Sequence, residues 1–216
     1  MYFPRAYVIG FAIVAGIMLL AAYLQRSPYT QPVTLNVPFE SQSPYGAWDA
    51  LHEEACEEMS LIMVRHFLSG APLTQSGAET EVQDMVAWET ANTYGVDVSM
   101  KQLGDIAKAL YSYHARVVTN VTADAIRREL VLGNPVIIPT SGRALGNPHF
   151  EGGQPFYHVL VVTGFTADGF LTNEPGSKSG EKYFYPTTVL IDALHDFTGN
   201  KQEIETGPKN ALVLER

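Results

Sequence analysis

Apolar residues at helical spacing between residues 56 and 132 predict four amphipathic helices. The best defined helix follows Cys56 and ends at Ser69 and Gly70, because glycine favours the left-handed conformation of a helix cap. Three more helices are predicted over residues 79–94, 102–113 and 122–132. The buried face of the first helix would be formed by Met59, Ile62, Met63, His66 and Phe67.

After residue 135, short apolar runs between prolines and glycines replace the helical period and predict strands. A buried strand over residues 156–165 is joined by the turn at residues 166–169 to a strand over residues 170–173. This hairpin would bring His158 close to both Asn173 and Glu174. Helices and strands segregated along the chain predict an α+β fold. Further strands are predicted at residues 33–37, 136–138, 181–185 and 211–214, with a short helix at 188–194.

The N-terminal segment differs in character from the rest of the chain. Residues 6–24 carry no charge and, as a helix, would extend roughly 28 Å, close to the thickness of a bilayer core. We therefore predict one transmembrane helix that acts as an anchor, with a cleaved signal peptide as the alternative. The predicted organisation is an anchor or signal segment at 1–26, a linker and first strand at 27–36, and one domain at 37–216.

Composition narrows the possible functions of that domain. The chain of 216 residues has 46% hydrophobic residues, enough for one core, and its net charge of −9 argues against a nucleic-acid partner. Cys56 is the only cysteine, and no cysteine or histidine cluster indicates a metal site. We expect no cofactor, an exported domain on the outer side of the membrane and a peptide or protein substrate. The sequence leaves the oligomeric state open.

Cys56 is the candidate nucleophile. A thiol at a helix N-terminus faces the positive end of the helix dipole, which favours the reactive thiolate. A thiolate enzyme also needs a base and a group that orients the base, and His158 followed by Asn173 or Glu174 supplies both. The amide of Gln42, in the loop before the helix, could donate to a developing oxyanion. The alternative is that Cys56 is a small buried hydrophobic residue.

The residues around these positions resemble a known family, the papain-like cysteine peptidases of the bacteriocin-leader-processing (double-glycine peptidase) type, in their stand-alone branch. The resemblance covers most of residues 35–195. In that family an aspartate usually precedes the Pro-Gly pair, whereas this chain has Glu174 there and Asn173 before it. The matching segments are Val37-Pro38-Phe39, Ser41-Gln42, Trp48-Asp49, Glu54-Ala55-Cys56-Glu57-Glu58-Met59-Ser60-Leu61, Tyr157-His158-Val159-Leu160-Val161-Val162-Thr163-Gly164 and Asn173-Glu174-Pro175-Gly176.

The resemblance implies a papain-like fold, with a helical half carrying Cys56 packed on an antiparallel sheet carrying His158. It implies that Cys56 is the nucleophile, His158 the base and Gln42 the oxyanion donor, with Glu174 or Asn173 orienting His158. The reaction would be peptide hydrolysis through an acyl-thioester. A thiol amidase or transpeptidase acting on cell-wall peptides, and a peptide-binding module without turnover, are the alternatives.

Four acidic residues flank Cys56 in the sequence. At an exposed helix N-terminus each would stabilise the helix by roughly 0.3–1 kcal/mol, which is the simplest interpretation. A second hypothesis is that they raise the pKa of the thiol and favour cationic peptides near the cleft. The four residues are Glu53, Glu54, Glu57 and Glu58.

Overall fold

An antiparallel sheet forms one half of the fold. The computed structural model describes residues 29–151 and 153–215. Its strands are β1 (Val33–Thr34), β2 (His114–Val118), β3 (Val136–Thr140), β4 (His158–Phe165), β5 (Gly169–Asn173), β6 (Tyr183–Pro186) and β7 (Ala211–Glu215). They follow the order β2-β7-β3-β4-β5-β6 in the sheet, and β1 pairs with the end of β4. All residues of β3 and β4 are buried, as their continuous apolar runs require.

Helices cover this sheet and build the second half of the fold. They are α1 (Cys56–Ser69), α2 (Gln75–Ala91), α3 (Met100–Tyr111), α4 (Ala123–Val131), α5 (Gly142–Leu145) and α6 (Thr187–Ala193). Two 3-10 helices, His52–Glu54 and Lys201–Thr206, complete the regular structure of the described residues. The predicted α+β class is therefore confirmed.

Helix α1 packs against β4, and this contact sets the position of the candidate site. Met59, Ile62 and Met63 of α1 are fully buried, together with Val159 and Val161 of β4. Gly70 ends the helix with a φ of 72°, the left-handed cap that the sequence predicts. The hydroxyl of Ser60 donates a hydrogen bond to the backbone carbonyl of Val159 (3.2 Å), which locks the helix to the strand.

Several predicted elements change their boundaries. Helix α2 starts four residues before its predicted start and ends at Ala91. Helix α3 ends at Tyr111, and the next residue, Ser112, has a left-handed φ of 60°. Residues 114–118, for which the sequence analysis predicts no element, form strand β2 by pairing with β7. The predicted strand at residues 33–37 is regular only at Val33–Thr34, and the short helix α5, for which the sequence analysis predicts no element, lies between β3 and β4.

The predicted transmembrane helix at residues 6–24 lies outside the described residues. Within residues 29–151 and 153–215, no helix is both long and apolar enough to cross a membrane. The chain divides between Thr30 and Gln31 into two units, and the second, Gln31–Arg216, contains the sheet and helices described above.

Candidate active site

Cys56 is the first residue of α1, and one residue, Ala55, separates it from the 3-10 helix His52–Glu54. The buried imidazole of His52 contacts the carboxylates of Asp49 (2.8 Å from Nδ1) and Glu79 (3.1 Å from Nε2). Since Glu79 belongs to α2, these contacts tie the turn before Cys56 to the rest of the helical half. These contacts fix the position of the thiol at the N-terminus of α1.

His158 is the first residue of β4 and lies close to this thiol. The backbone N–H of the next residue, Val159, donates to Sγ of Cys56 at 3.3 Å, so the start of the strand and the start of the helix are in direct contact. Both Cys56 and His158 line a cleft of about 320 Å³. Other residues of its wall include Gln42, Trp48, Glu54, Phe150 and Lys201.

Glu174 is the hydrogen-bond partner of His158. One carboxylate oxygen, Oε1, pairs with Nε2 of the imidazole and also accepts the backbone N–H of Gly176 (3.1 Å). The other, Oε2, accepts the hydroxyl of Tyr185 (2.8 Å), and that hydroxyl accepts the amide N–H of Asn147 (3.0 Å). With Nε2 occupied by Glu174, Nδ1 is the imidazole nitrogen that remains for a thiol.

Burial makes this chain of hydrogen bonds rigid. Glu174 is fully buried, and His158 and Tyr185 are each only 2% exposed. Burial, and next the negative charge of Glu174, raises the pKa of Tyr185, so its hydroxyl stays a donor at every working pH. Tyr185 and Asn147 were not among the predicted site residues, because an aromatic residue in a strand and a loop asparagine look like ordinary structural residues in a sequence.

The ring of His158 is also fixed by close packing. The ring of Phe150 meets it edge-on, with 4.9 Å between the ring centroids. A Cβ atom on Gly176 would lie 2.9 Å from Phe150 and 3.1 Å from Cε1 of His158. Glycine at this position therefore lets the backbone approach closely enough to place both the N–H on Glu174 and the imidazole.

Asn173 and Gln42 make other contacts than the sequence suggests. The amide of Asn173 donates to the carbonyls of Val37 and Pro38, both at 3.1 Å, and thus joins β5 to the N-terminal segment of the domain. The amide nitrogen of Gln42 donates to the carbonyls of His52 (2.7 Å) and Glu53 (3.2 Å). Gln42 lines the cleft, but its N–H groups hold the turn before Cys56 in this conformation.

The thiol of Cys56 donates to the carboxylate of Glu57 at 2.9 Å. Burial, and next the charge of Glu57, raises the pKa of the thiol well above its usual value. Burial likewise raises the pKa of Glu57 to about 8. The site therefore rests with a neutral thiol, which has to lose its proton before it can act as a nucleophile.

The acidic residues around Cys56 differ in their surroundings, and this corrects the simplest interpretation of them. Glu57 and Glu58 are 1% and 2% exposed, so they cannot act as a solvated helix start. Glu57 accepts the backbone N–H of Val98 (3.2 Å) on its other oxygen. Glu54 forms an ion pair with Lys201 (2.8 Å) at the wall of the cleft.

The site combines a cysteine at the start of a helix with a histidine that is the first residue of a strand and pairs with a buried carboxylate. This combination defines the class of cysteine-peptidase-like folds. The chain belongs to the peptidase C39-like family, whose sequence model matches residues 34–198. This confirms the family that the motifs suggest.

A solved structure agrees with the assignment. The crystal structure of a candidate C39-like peptidase from Bacillus anthracis superposes with a TM-score of 0.56 and 15% sequence identity, over 86% of this chain and 98% of that chain. At this identity the similarity shows a shared fold. No curated protein sequence matches the chain.

Proposed function

We propose that this protein is a cysteine peptidase in which Cys56 is the nucleophile, His158 the general base and Glu174 the residue that orients His158. The observation that carries the proposal is the buried pairing of His158 Nε2 with Glu174, one residue away from the N–H that contacts Cys56 Sγ. A carboxylate on Nε2 fixes the tautomer in which Nδ1 can accept the thiol proton, and it stabilises the imidazolium that results.

The reaction follows from these positions. The thiol proton moves to Nδ1 of His158, and the thiolate attacks the carbonyl carbon of the substrate. The imidazolium then gives its proton to the leaving amine, which leaves the acyl group on Cys56 as a thioester. Water, deprotonated by His158, hydrolyses the thioester and regenerates the thiol. Because Sγ contacts Glu57 at rest, the thiol has to turn from that carboxylate toward the imidazole when substrate binds.

The tetrahedral intermediate needs hydrogen-bond donors for its oxyanion. The backbone N–H of Cys56, at the start of α1, is one candidate, since the first N–H groups of a helix lack intrahelical partners. Gln42 is the predicted second donor. It could serve only after its amide releases one of the two carbonyls that it holds, and the weaker contact, to Glu53 at 3.2 Å, is the one we propose is released.

The test is a cleavage assay with an unbiased peptide mixture. The full chain should produce new peptide termini, whereas Cys56→Ser and His158→Gln should produce none above background while retaining the thermal stability of the parent. Substantial turnover by Cys56→Ser would exclude Cys56 as the nucleophile. A thiol-reactive peptide electrophile should label Cys56 stoichiometrically at neutral pH, and should label His158→Gln far more slowly.

One observation favours a second candidate, a peptide-binding module on the same fold. Cys56 is 5% exposed and its thiol contacts a carboxylate, an arrangement that disfavours the thiolate. Such a module would bind peptides from the mixture in the cleft without cleaving them, and its Cys56 would remain unlabelled by the electrophile.

We also propose, from the sequence alone, that residues 6–24 anchor the domain on the outer side of the membrane. Protease added to intact cells should then remove the domain. A domain that is digested only after lysis would contradict this topology.

A further inference from the structure

A second, smaller cavity of about 110 Å³ lies on the other side of the start of α1, between α1, the C-terminal end of α2 and the loop that follows α2. The mouth of the cavity is exposed, as the 64% exposure of Val96 shows. Glu54 lines both this cavity and the cleft, so the two are neighbours. The residues that matter for its chemistry are Leu51, Glu54, Glu58, Val86, Glu89 and Tyr94.

Two buried carboxyl groups line the cavity, and none of the described residues that line it is basic. Glu58 and Glu89 are 2% and 4% exposed. Among the residues that the structure describes, Oε2 of Glu58 and Oε1 of Glu89 have no hydrogen-bond partner. The two carboxyls are close enough to influence each other's pKa. A buried carboxylate without a cation is costly, so such a pair is stable only with a shared proton or a bound cation.

The surroundings increase the negative potential of the cavity. Glu89 lies in the last turn of α2, where the helix dipole is negative, and Glu57 and Asp97 are close by. The ammonium of Lys201 is paired with Glu54 (2.8 Å) and Asp97 (3.7 Å). Lys201 therefore offsets the charges of Glu54 and Asp97. The charge of the pair Glu58 and Glu89 is left to a proton or a ligand.

The charge of the pair depends on pH. Burial, followed by the charges of Glu57 and Glu89, raises the pKa of Glu58, and burial raises the pKa of Glu89. The raised pKa values favour the protonated form of the pair, and a cation that binds between the two carboxyls would displace the proton.

The shape and chemistry of the walls select the kind of cation. Leu51, Val86 and the ring of Tyr94 are apolar surfaces that suit methylene groups, and an aromatic ring also attracts a cation. A metal ion fits poorly, since no group of three or more His, Cys, Asp or Glu side chains in the described part of the chain could hold one. An ammonium is compact and has three donors, whereas a guanidinium needs a wider planar set of acceptors.

We propose that this pocket binds a primary alkylammonium group, with its charge between Glu58 and Glu89 and its methylene groups against Leu51, Val86 and Tyr94. A lysine side chain of a bound peptide and a free alkylamine share this chemistry. The site does not depend on the proposed peptidase activity, because it is defined by binding alone.

The test is isothermal titration of the full chain with n-butylammonium chloride, with n-pentanol as a neutral probe of similar shape. We expect saturable binding of the ammonium near neutral pH, with a heat that changes with the ionisation enthalpy of the buffer because a proton is released. Pentanol should show no saturable binding. Glu89→Gln should weaken ammonium binding at least about 10-fold, whereas Asp105→Asn, which removes an exposed carboxylate on α3, should leave it unchanged.

Glu58→Gln is the second variant, and the melting temperature of each variant shows whether it is folded. Absence of saturable ammonium binding, or equal binding by folded Glu89→Gln and the parent, would overturn the proposal.

Two peptides that differ only in lysine or norleucine, titrated into Cys56→Ser, identify the source of the ammonium. Tighter binding of the lysine peptide, lost in the Glu89→Gln background, would assign the pocket to a substrate side chain. Butylammonium binding without a lysine preference would assign it to a small free amine. Neither titration measures turnover, so the outcome is separate from that of the cleavage assay.

Discussion

The thiol of Cys56 donates to the carboxylate of Glu57, its neighbour in the first turn of α1, across 2.9 Å. Both side chains are buried, so no water shields one from the other. A negative charge on Glu57 therefore opposes a negative charge on the thiol, which is the form that a nucleophile needs. Glu57 carries a proton up to a pKa of about 8, and above that pH it is a buried anion against the sulfur.

Glu57→Gln should increase the reactivity of Cys56 at high pH. An amide has the same shape but never becomes an anion, so the thiol pKa should be lower in the variant wherever Glu57 is ionised. We expect iodoacetamide to alkylate the variant about 10-fold faster than the parent at pH 9, and the two at similar rates at pH 6, since one pKa unit changes the thiolate fraction tenfold. Glu53→Gln, at the wall of the cleft, is the matched control. Equal rates for Glu57→Gln and the parent at both pH values would show that Glu57 does not govern the thiol.

The stability of the domain should fall as the pH rises through the neutral range. The pKa of Glu57 is raised from an ordinary value of 4.5 to about 8, so the folded state holds a proton that the unfolded state releases. The resulting stability is fully present below about pH 4.5 and is lost as pH rises through about 8. Glu58 and Glu89 have raised pKa values and act in the same direction.

Urea unfolding between pH 5 and pH 9 measures this loss. We expect the free energy of unfolding of the parent to decrease by a few kcal/mol, on the order that a shift of several pKa units implies. Glu57→Gln should show a shallower decrease, because it removes one of the titrating groups. A stability of the parent that is independent of pH over this range would mean that these carboxyls are ionised in the folded protein.

Glu174→Gln and Asn173→Ala should separate the two candidates for orienting His158. Glutamine keeps the volume of Glu174 but loses the charge that stabilises an imidazolium, so kcat should fall about 100-fold or more, with little change in melting temperature. Asn173→Ala leaves the carbonyls of Val37 and Pro38 without a donor and should cost about 1–3 kcal/mol of stability with a small change in kcat. If Asn173→Ala instead had the larger effect on kcat, the orienting role would pass to Asn173.

The elements with strong periodicity are those that the sequence predicts well. Helix α1 and the hairpin of β4 and β5 are close to their predicted ranges, because an apolar face or an apolar run indicates where each is buried. Strand β2 was not predicted. Its residues His-Ala-Arg-Val-Val carry a weak pattern, and only pairing with β7, about 95 residues later in the chain, makes them a strand.

Part of the candidate site was predictable, namely the part that depends only on the alternation of side chains along a strand. Side chains alternate along a strand, so only one of Asn173 and Glu174 could face His158, and the structure places Glu174 there. Burial of Glu57 and Glu58 was not predictable, because acidic residues at a helix start are usually solvated. Residues 97 and 98 and helix α2 cover them in the fold, and contacts so distant in sequence leave no local pattern.

Tyr185→Phe tests whether support of Glu174 matters for the proposed reaction. The hydroxyl of Tyr185 donates to Glu174 Oε2 at 2.8 Å, and without it that buried oxygen loses its hydrogen bond. Without this donor the carboxylate of Glu174 is held less firmly in the orientation that pairs with Nε2 of His158, so the imidazole should be positioned less well. We expect kcat to fall about 10-fold, the equivalent of one hydrogen bond to a charged group, and the acidic limb of the pH–rate profile to move.

Tyr183→Phe is the matched control for this variant. Tyr183 lies two residues away on β6, and its ring packs against that of Tyr185 with 4.8 Å between the centroids, so removing its hydroxyl changes a neighbouring aromatic ring by the same single atom. Its kcat and pH–rate profile should match those of the parent. Equal losses in both variants would indicate a general effect of hydroxyl removal on β6, whereas no loss in either would mean that the N–H of Gly176 and the imidazole hold Glu174 without help from Tyr185.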